Sequence, residues 1–267
     1  MKIKPFLRWV GGKRWLIKNH SEHFPKNYNK YVEPFLGAGS VFFFLQPRES
    51  ILSDLNPELI NTYKCIKDEP ESLFKLLKIH QNKHSKEYYY EMRNKNPNLL
   101  KTKAARFLYL NRTCFNGIYR VNKQGKFNVP YGNKSTVVYE NESFDSLSKV
   151  LTNSTLLISD FEKTINLAHK DDFLFVDPPY TVAHNNNGFI EYNEKIFSWD
   201  DQLRLFNVLK EAKNRGVKIL LTNANHLSIK ELYKNDFILE EVSRYSSVSG
   251  LSQHRKKYSE LIIKSYS

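Results

Sequence analysis

The sequence predicts an α/β protein. A mostly parallel, Rossmann-like sheet has helices on both faces and is interrupted by an inserted, mainly helical module with a β-hairpin. Three observations predict it. Seven short apolar runs read as strands. The first of them enters a glycine-rich turn, a helix and a second strand that ends in an acid. About 100 residues then separate the second strand from the third, where a parallel crossover needs only about a dozen.

The strands fall at roughly 31–35, 50–53, 155–159, 173–176, 217–222, 237–242 and 258–264. A helix from Ser40 to Leu45 follows the first glycine turn. The long intervening segment opens with helical patterns over Glu58–Ile66, Glu71–Lys83, Lys86–Arg93 and Lys101–Leu110. Ile118–Val121 and Lys126–Val129 flank Asn122-Lys123-Gln124-Gly125 as a hairpin. Late in the chain Ser198 caps a helix running to about Arg215, with Gly216 as its stop. The predicted domains are therefore residues 1–56 with 146–267, and an insertion at 57–145. His184 to Gly188 reads as a mobile loop.

Asp177-Pro178-Pro179-Tyr180 follows the apolar run Phe173–Val176. Proline keeps the residue before it extended, so the Asp177 carboxylate and the Pro178 carbonyl can point the same way. Both groups only accept hydrogen bonds. Two converging acceptors match the two hydrogens of an exocyclic amino group, and Tyr180 offers a face for the ring that carries it.

The first turn, Gly37-Ala38-Gly39, is followed seventeen positions after Gly37 by Asp54, at the end of the second strand. Nucleotide-binding folds use such glycines for close backbone approach and such an acid for ribose hydroxyls. A dinucleotide fingerprint needs a third glycine; Phe42 stands there. The pattern favours an adenosine ligand without a pyrophosphate, which S-adenosylmethionine fits and NAD does not.

Lys and Arg number 41 against 28 acids, a formal charge of +13. That balance favours a polyanionic partner. Residues 101–134 hold eight basic residues, six aromatics and no acid, a composition suited to phosphates and stacked bases. The longest apolar stretches are about five residues, far short of a membrane span. The N-terminus lacks an apolar signal core, so a cytoplasmic protein is expected. Cys65 and Cys114 make neither a disulfide framework nor a zinc set. Gly11-Gly12-Lys13-Arg14 lacks the remaining parts of a P-loop. His80 and His84 stand at helical spacing without a zinc protease's Glu, and read as surface residues. No metal is expected.

Five motifs occur in order: Phe6–Lys13, Glu33–Ser40, Asp54-Leu55-Asn56-Pro57, Asn111-Arg112 to Asn116-Gly117, and Asp177–Tyr180. In this the chain resembles the Dam-type, D12 class, group alpha adenine-N6 DNA methyltransferases, from about residue 4 to the C-terminus. The resemblance implies site-specific, adenine-specific DNA methylation with S-adenosylmethionine as cofactor. Trp9, Lys13, Phe35, Gly37, Gly39, Asp54, Asp160, Phe161 and Asp177 are the cofactor set it implies, and Asp177, Pro178, Pro179 and Tyr180 the catalytic set. Phe115 and Asn116 fall where family members wedge into DNA. Arg8 and Arg120 fall at guanine-reading positions, and Ile118 and Pro130 where apolar contacts meet thymine. Arg112, Lys123 and Lys126 complete the DNA-binding set. These matches imply GATC as the site. Arg8 in place of the more usual Lys, and Thr113-Cys114, depart from common members.

The expected reaction begins with a flipped adenine. Asp177 and the Pro178 carbonyl accept its amino hydrogens and free the nitrogen lone pair for in-line methyl transfer. Two alternatives stay open at this point. One is a methyltransferase of RNA adenine or a protein glutamine; Asp rather than Asn at 177, and the basic hairpin, argue for DNA. The other is a non-catalytic DNA-binding protein. The expected partner is double-stranded DNA, with no membrane, and the chain is expected to be a monomer in solution.

Overall fold

A computed structural model describes residues 3–122, 124–140, 142–182, 197–245 and 257–267. All seven predicted strands form: β1 (Tyr31–Glu33), β2 (Ser50–Asp54), β3 (Ser154–Ile158), β4 (Phe173–Val176), β5 (Lys218–Ala224), β6 (Ile238–Tyr245) and β7 (Lys257–Lys264). They make one mixed sheet in the order β3-β2-β1-β4-β5-β7-β6, with helices on both sides. The first five positions repeat the doubly wound order of Rossmann-like sheets. β1 is parallel to both β2 and β4, and β4 to β5. β7 runs antiparallel to β5 and β6.

The parallel strands β1 and β4 are apolar or buried at every position, as strands covered on both faces must be. The order of the chain reverses between β1 and β4. That switch point is where ligands bind in open α/β sheets, outside the carboxyl ends of the strands. The residues leaving those ends are Pro34-Phe35 and Asp177-Pro178.

The helices follow their local signals. α2 (Ser40–Leu45) starts from Gly39 in the left-handed region, φ 61°. α3 (Pro57–Asp68) is capped by Asn56, whose side chain accepts from the backbone of Glu58 and Leu59, with Pro57 at the first helical position. α4 (Pro70–Asn82), α5 (Lys86–Asn94, capped by Ser85) and α6 (Leu100–Thr113) complete the helices predicted for the insertion. Four others carried no sequence prediction: α1 (Arg14–Asn19), α7 (Phe144–Leu151), α8 (Phe161–Ile165) and α10 (Leu227–Tyr233). None is longer than eight residues, too short for a 3.6-residue period to declare itself. α9 (Trp199–Asn214) has the predicted Ser198 cap, closed into a capping box by Asp201.

The described residues pack as two compact units. One holds 3–14, 36–48 and 54–158; the other holds 15–35, 49–53 and 159–267. Among the described residues the predicted hairpin forms as a short one, centred on the antiparallel bridge Val121↔Phe127. Backbone bonds from Asn122 to Lys126 at 2.9 Å and from Asn128 to Arg120 at 3.1 Å pair the two arms, and the Asn122 side chain accepts from the backbone of Gln124 and Lys126 across the turn. The predicted loop His184–Gly188 lies outside the described residues.

His80 and His84 are not the surface residues expected. His80 is buried, stacks on Tyr109 at 5.0 Å, and its Nδ1 pairs with the Tyr88 hydroxyl at 2.8 Å. His84 meets the hydroxyls of Tyr109 and Tyr131 at 3.0 and 3.4 Å. Tyr88 and Tyr89 of α5 face this cluster. Burial lowers both histidines, His80 to about 4. A histidine lowered on folding contributes stability that is present above its unfolded value of about 6.5 and lost as pH falls through its folded value. Urea midpoints should therefore drop between pH 6.5 and 4, His80 accounting for up to about 3 kcal/mol. His80→Gln should flatten that slope, and an unchanged slope would reject the assignment.

Candidate active site and nucleic-acid interface

In the first unit the glycine turn is shaped by its neighbours. Gly37 (φ 47°) and Gly39 (φ 61°) both sit where side chains are strained. A Cβ on Gly37 would stand 2.6 Å from Trp9 Cδ1, and one on Gly39 would stand 2.9 Å from the Tyr63 hydroxyl. The Asp54 carboxylate accepts from the backbone of Gly37 at 3.1 Å and of Asn56 at 2.9 Å. Tyr63 donates its hydroxyl to the Gly37 carbonyl at 3.0 Å. Burial raises the Asp54 pKa, against the lowering by backbone N–H groups of Asn56, Gly37 and Leu55. Trp9, Gly37, Gly39 and Asp54 are thus brought together. Lys13 is buried, with Nζ donating to the Gly11 carbonyl at 3.0 Å.

In the second unit Asp177 follows β4. Its Oδ1 accepts from the Thr222 hydroxyl at 2.9 Å. Pro178 is buried and Pro179 and Tyr180 are half-buried. The Tyr180 hydroxyl donates to Glu260 Oε2 at 2.6 Å. Burial, with Asp177 and Glu260 beside it, holds the Tyr180 pKa well above its ordinary value, so the phenol stays a neutral donor. Tyr31 is likewise raised, chiefly by burial, and donates to the buried Glu33 at 2.9 Å.

Asp160 and Phe161 sit at the start of α8, after β3. Asp160 caps α8 by accepting from the Glu162 backbone, and both its oxygens accept from Arg204, at 2.9 and 3.1 Å. Phe161 is buried. Phe35 stacks on its ring at 5.5 Å, and the Arg204 guanidinium lies 4.2 Å from its centroid. Asp160 is half-buried, so part of its carboxylate stays open to solvent beside the Arg204 ion pair.

Most of the predicted DNA-contact residues gather around one clamp in the first unit. Asn111 accepts from the Arg8 backbone at 2.9 Å and donates to the carbonyls of Arg8 and Gly117 at 2.8 and 3.3 Å. Gly117 (φ 66°) lets Arg8 pass, since a Cβ there would meet Arg8 Cδ at 2.5 Å. Phe115, 54% exposed, and Asn116 (φ 55°) stand out from this turn. The Phe115 backbone donates to the Pro130 carbonyl at 2.9 Å, and a Cys114↔Tyr131 bridge continues the pairing. Ile118 is half-buried; Arg120, Lys126 and Pro130 are exposed. Arg120 donates to Asn128 at 3.0 Å. Lys123 lies outside the described residues.

Arg112 is a correction. It is fully buried. Its guanidinium pairs with both Glu142 oxygens and donates to the carbonyls of Phe6 and Val137, each at 2.7 Å. It anchors the segment before Arg8 and has no surface to offer a phosphate. Cys114 is no nucleophile: burial pushes its thiol up to about 11.

Sequence reasoning missed Thr222, Glu260, Tyr63 and Arg204, and gave Asn111 no role. Glu260 alone left a signal, as an acid entering the apolar run Leu261-Ile262-Ile263.

A Rossmann-like sheet, a glycine turn tied to an acid, and Asp-Pro-Pro-Tyr at the switch point define a Rossmann-like methyltransferase. The family model of the D12 class N6 adenine-specific DNA methyltransferases matches residues 9–247, and the chain belongs to that family. It is 38% identical to the Type II methyltransferase M1.LlaDCHI of Lactococcus lactis subsp. cremoris, over 100% of this chain and 96% of that protein. It is 34% identical to the Type II methyltransferase M.MjaIII of Methanocaldococcus jannaschii, covering both completely. It is 30% identical to the DNA adenine methylase of Escherichia coli, over 98% and 95% of the two chains. No helix among the described residues is long and apolar enough to cross a membrane.

Gly37→Ala should cost about 2 kcal/mol or more, from a strained backbone and a displaced Trp9. Gly125 provides the comparison: its φ is 73° but nothing lies within 4 Å of an added Cβ. Thermal unfolding should show the larger loss for Gly37→Ala, with a change in tryptophan fluorescence confined to it. Equal losses would mean that the Trp9 contact carries no weight.

Proposed function

We propose that this chain transfers the methyl group of S-adenosylmethionine to N6 of an adenine flipped out of duplex DNA, with GATC as its site. The observation that carries the reading is Asp177-Pro178-Pro179-Tyr180 leaving β4 at the switch point, with Asp177 held by Thr222 and Tyr180 by Glu260. The names of relatives such as the Escherichia coli DNA adenine methylase support the substrate class.

The residues of the glycine turn fit the cofactor. Two positions without a Cβ permit close backbone approach, and a carboxylate can accept about four hydrogen bonds, so Asp54 can hold the turn and also take ribose hydroxyls. When bound, S-adenosylmethionine supplies a sulfonium methyl already activated for transfer. Asp177 and the Pro178 carbonyl accept the hydrogens of the adenine amino group, drawing its lone pair out of the ring. Thr222 fixes the Asp177 carboxylate by its hydroxyl bond. Tyr180, its hydroxyl spent on Glu260, contributes its ring to stacking. Asp160 would contact the cofactor's adenine and Phe161 would pack beside that ring, with Arg204 and Phe35 holding the two in place.

Recognition falls to residues 57–145 together with Arg8. Arg8 and Arg120 would read guanine, for which the guanidinium fork is well shaped. Phe115 and Asn116 would enter the stack beside the extruded base, and Ile118 and Pro130 would contact thymine methyls. Lys123 and Lys126 would neutralise phosphates. The chain would act as a monomer.

Methyl transfer from labelled cofactor to duplexes with and without GATC tests this. Label should appear as N6-methyladenine only with GATC intact. Asp177→Ala should lose transfer by at least about a thousandfold while binding DNA. Arg120→Ala should relax choice at one guanine, costing about 1–3 kcal/mol of discrimination. Full turnover by Asp177→Ala would end the mechanism, and label on duplexes lacking GATC would end the recognition assignment alone.

A further inference from the structure

One side-chain cluster in the second unit has the composition of a metal site and no part in methyl transfer. We propose that His20, Glu22 and His23, joined by Glu240, bind a single Zn2+ ion. The expectation of a metal-free chain rested on the cysteines and on His80 and His84; this group lies elsewhere.

The sequence His20-Ser21-Glu22-His23 makes a 3-10 turn over Ser21–His23, with non-helical backbone at His20. The turn brings ligand atoms of His20, Glu22 and His23 within 4.8 Å of one another. His20 Nδ1 is 3.6 Å and His23 Nε2 is 3.7 Å from Glu22 Oε1. Glu240 on β6 brings its Oε1 to 3.5 Å from the same His23 Nε2. These separations are too long for good hydrogen bonds. They are close to the edge of a tetrahedron with ligands about 2.0–2.1 Å from a zinc ion, which is roughly 3.4 Å. His20, Glu22 and His23 therefore need only small side-chain rotations to share one ion, with Glu240 reaching it from the side of His23.

The donor set selects the metal. Two imidazoles and two carboxylates suit Zn2+, whereas Mg2+ and Ca2+ take oxygen ligands. The frame is held in place. Trp15 packs edge-on against His20 at 5.6 Å, and the two imidazoles face one another at 5.8 Å. The Tyr266 hydroxyl donates to the His23 carbonyl at 2.7 Å.

One group opposes the ion. Lys264 Nζ lies 3.3 Å from His23 Nδ1. A metal on Nε2 requires Nδ1 to carry its proton, so Lys264 must turn away. Its second partner, Glu240 at 3.7 Å, gives it a place to go. Zinc would then staple the turn at 20–23 to β6, the outer strand of the antiparallel pair.

The full chain, stripped with chelator, would be titrated with Zn2+ by calorimetry, alongside thermal unfolding and Co2+ absorption. We expect one Zn2+ per chain with a Kd below about 10 μM, and a rise in Tm of roughly 5 °C at a hundredfold excess over Kd. Co2+ should give the visible bands of a tetrahedral site. His20→Ala and Glu22→Gln alter exposed or half-buried positions, and each should weaken Zn2+ at least about tenfold. Lys264→Met should tighten it, by relieving the conflict at Nδ1. A Kd above about 100 μM, binding unchanged in His20→Ala, an equal Tm rise with Mg2+, or weaker binding in Lys264→Met would each overturn the site.

Discussion

The turn after β1 has no room for a side chain, and the first unit is organised around that restriction. Gly37 has Trp9 against its α-carbon, the Asp54 carboxylate on its N–H and the Tyr63 hydroxyl on its carbonyl. Each of these partners reaches further. Trp9 stacks on Tyr119 at 5.5 Å and 21°. Tyr119 donates to Glu58 at 2.9 Å, and Glu58 lies 3.5 Å from Arg106 on α6. One short, physically continuous set of contacts therefore runs from the glycine turn to the residues flanking Ile118 and Arg120. A chain built this way cannot reshape its turn without moving Trp9, and cannot move Trp9 without disturbing Tyr119.

Buried charge is the cost of this arrangement, and the structure limits it by giving the charged groups several partners each, although Arg112 Nε is left without one. Arg112 and Glu142 show the logic. A buried ion pair gains little over a well-packed apolar pair, but a buried charge stripped of its partner is strongly destabilising. Arg112 adds two carbonyls to its carboxylate, and those carbonyls belong to segments far apart in the chain, Phe6 and Val137. The pair thus specifies which loops meet. Glu260 and Glu33 follow the same rule in the second unit, each buried and each accepting from a tyrosine. Tyrosines raised by burial keep their protons, which makes them dependable donors to a carboxylate.

The sheet was legible because strands buried on both faces leave continuous apolar runs, and Phe173–Val176 or Ile219–Leu221 admit few other readings. Asn56-Pro57 and Ser198 announced their helices by cap chemistry alone. The glycine turn and Asp177–Tyr180 were legible because their chemistry is local: the residues that matter are adjacent. What stayed hidden depends on partners distant in sequence. Nothing near Tyr180 points to Glu260, eighty positions on, and nothing near Asp160 points to Arg204. His80 and His84 misled because their tyrosine partners, Tyr88, Tyr109 and Tyr131, come later in the chain. The hairpin was legible because its turn residues are adjacent, and its arms pair only briefly, around Val121 and Phe127.

The acid-free window at 101–134 shows why counting charge along a sequence overstates an electrostatic footprint. Of its eight basic residues, Arg106 donates to the carbonyls of Met92 and Arg93 and lies near Glu58. Arg112 is consumed by Glu142, and Lys101 meets Glu69 at 3.4 Å. The acids that balance these three were never in the window; folding brings them in from either side. Lys103 is half-buried, while Arg120, Lys126 and Lys134 are exposed. The surface charge available to a polyanion thus concentrates toward the turn that also carries Phe115 and Pro130. Net charge argued for a nucleic-acid partner, but the burial of Arg106 and Arg112 is what narrows where on the unit that partner can be met.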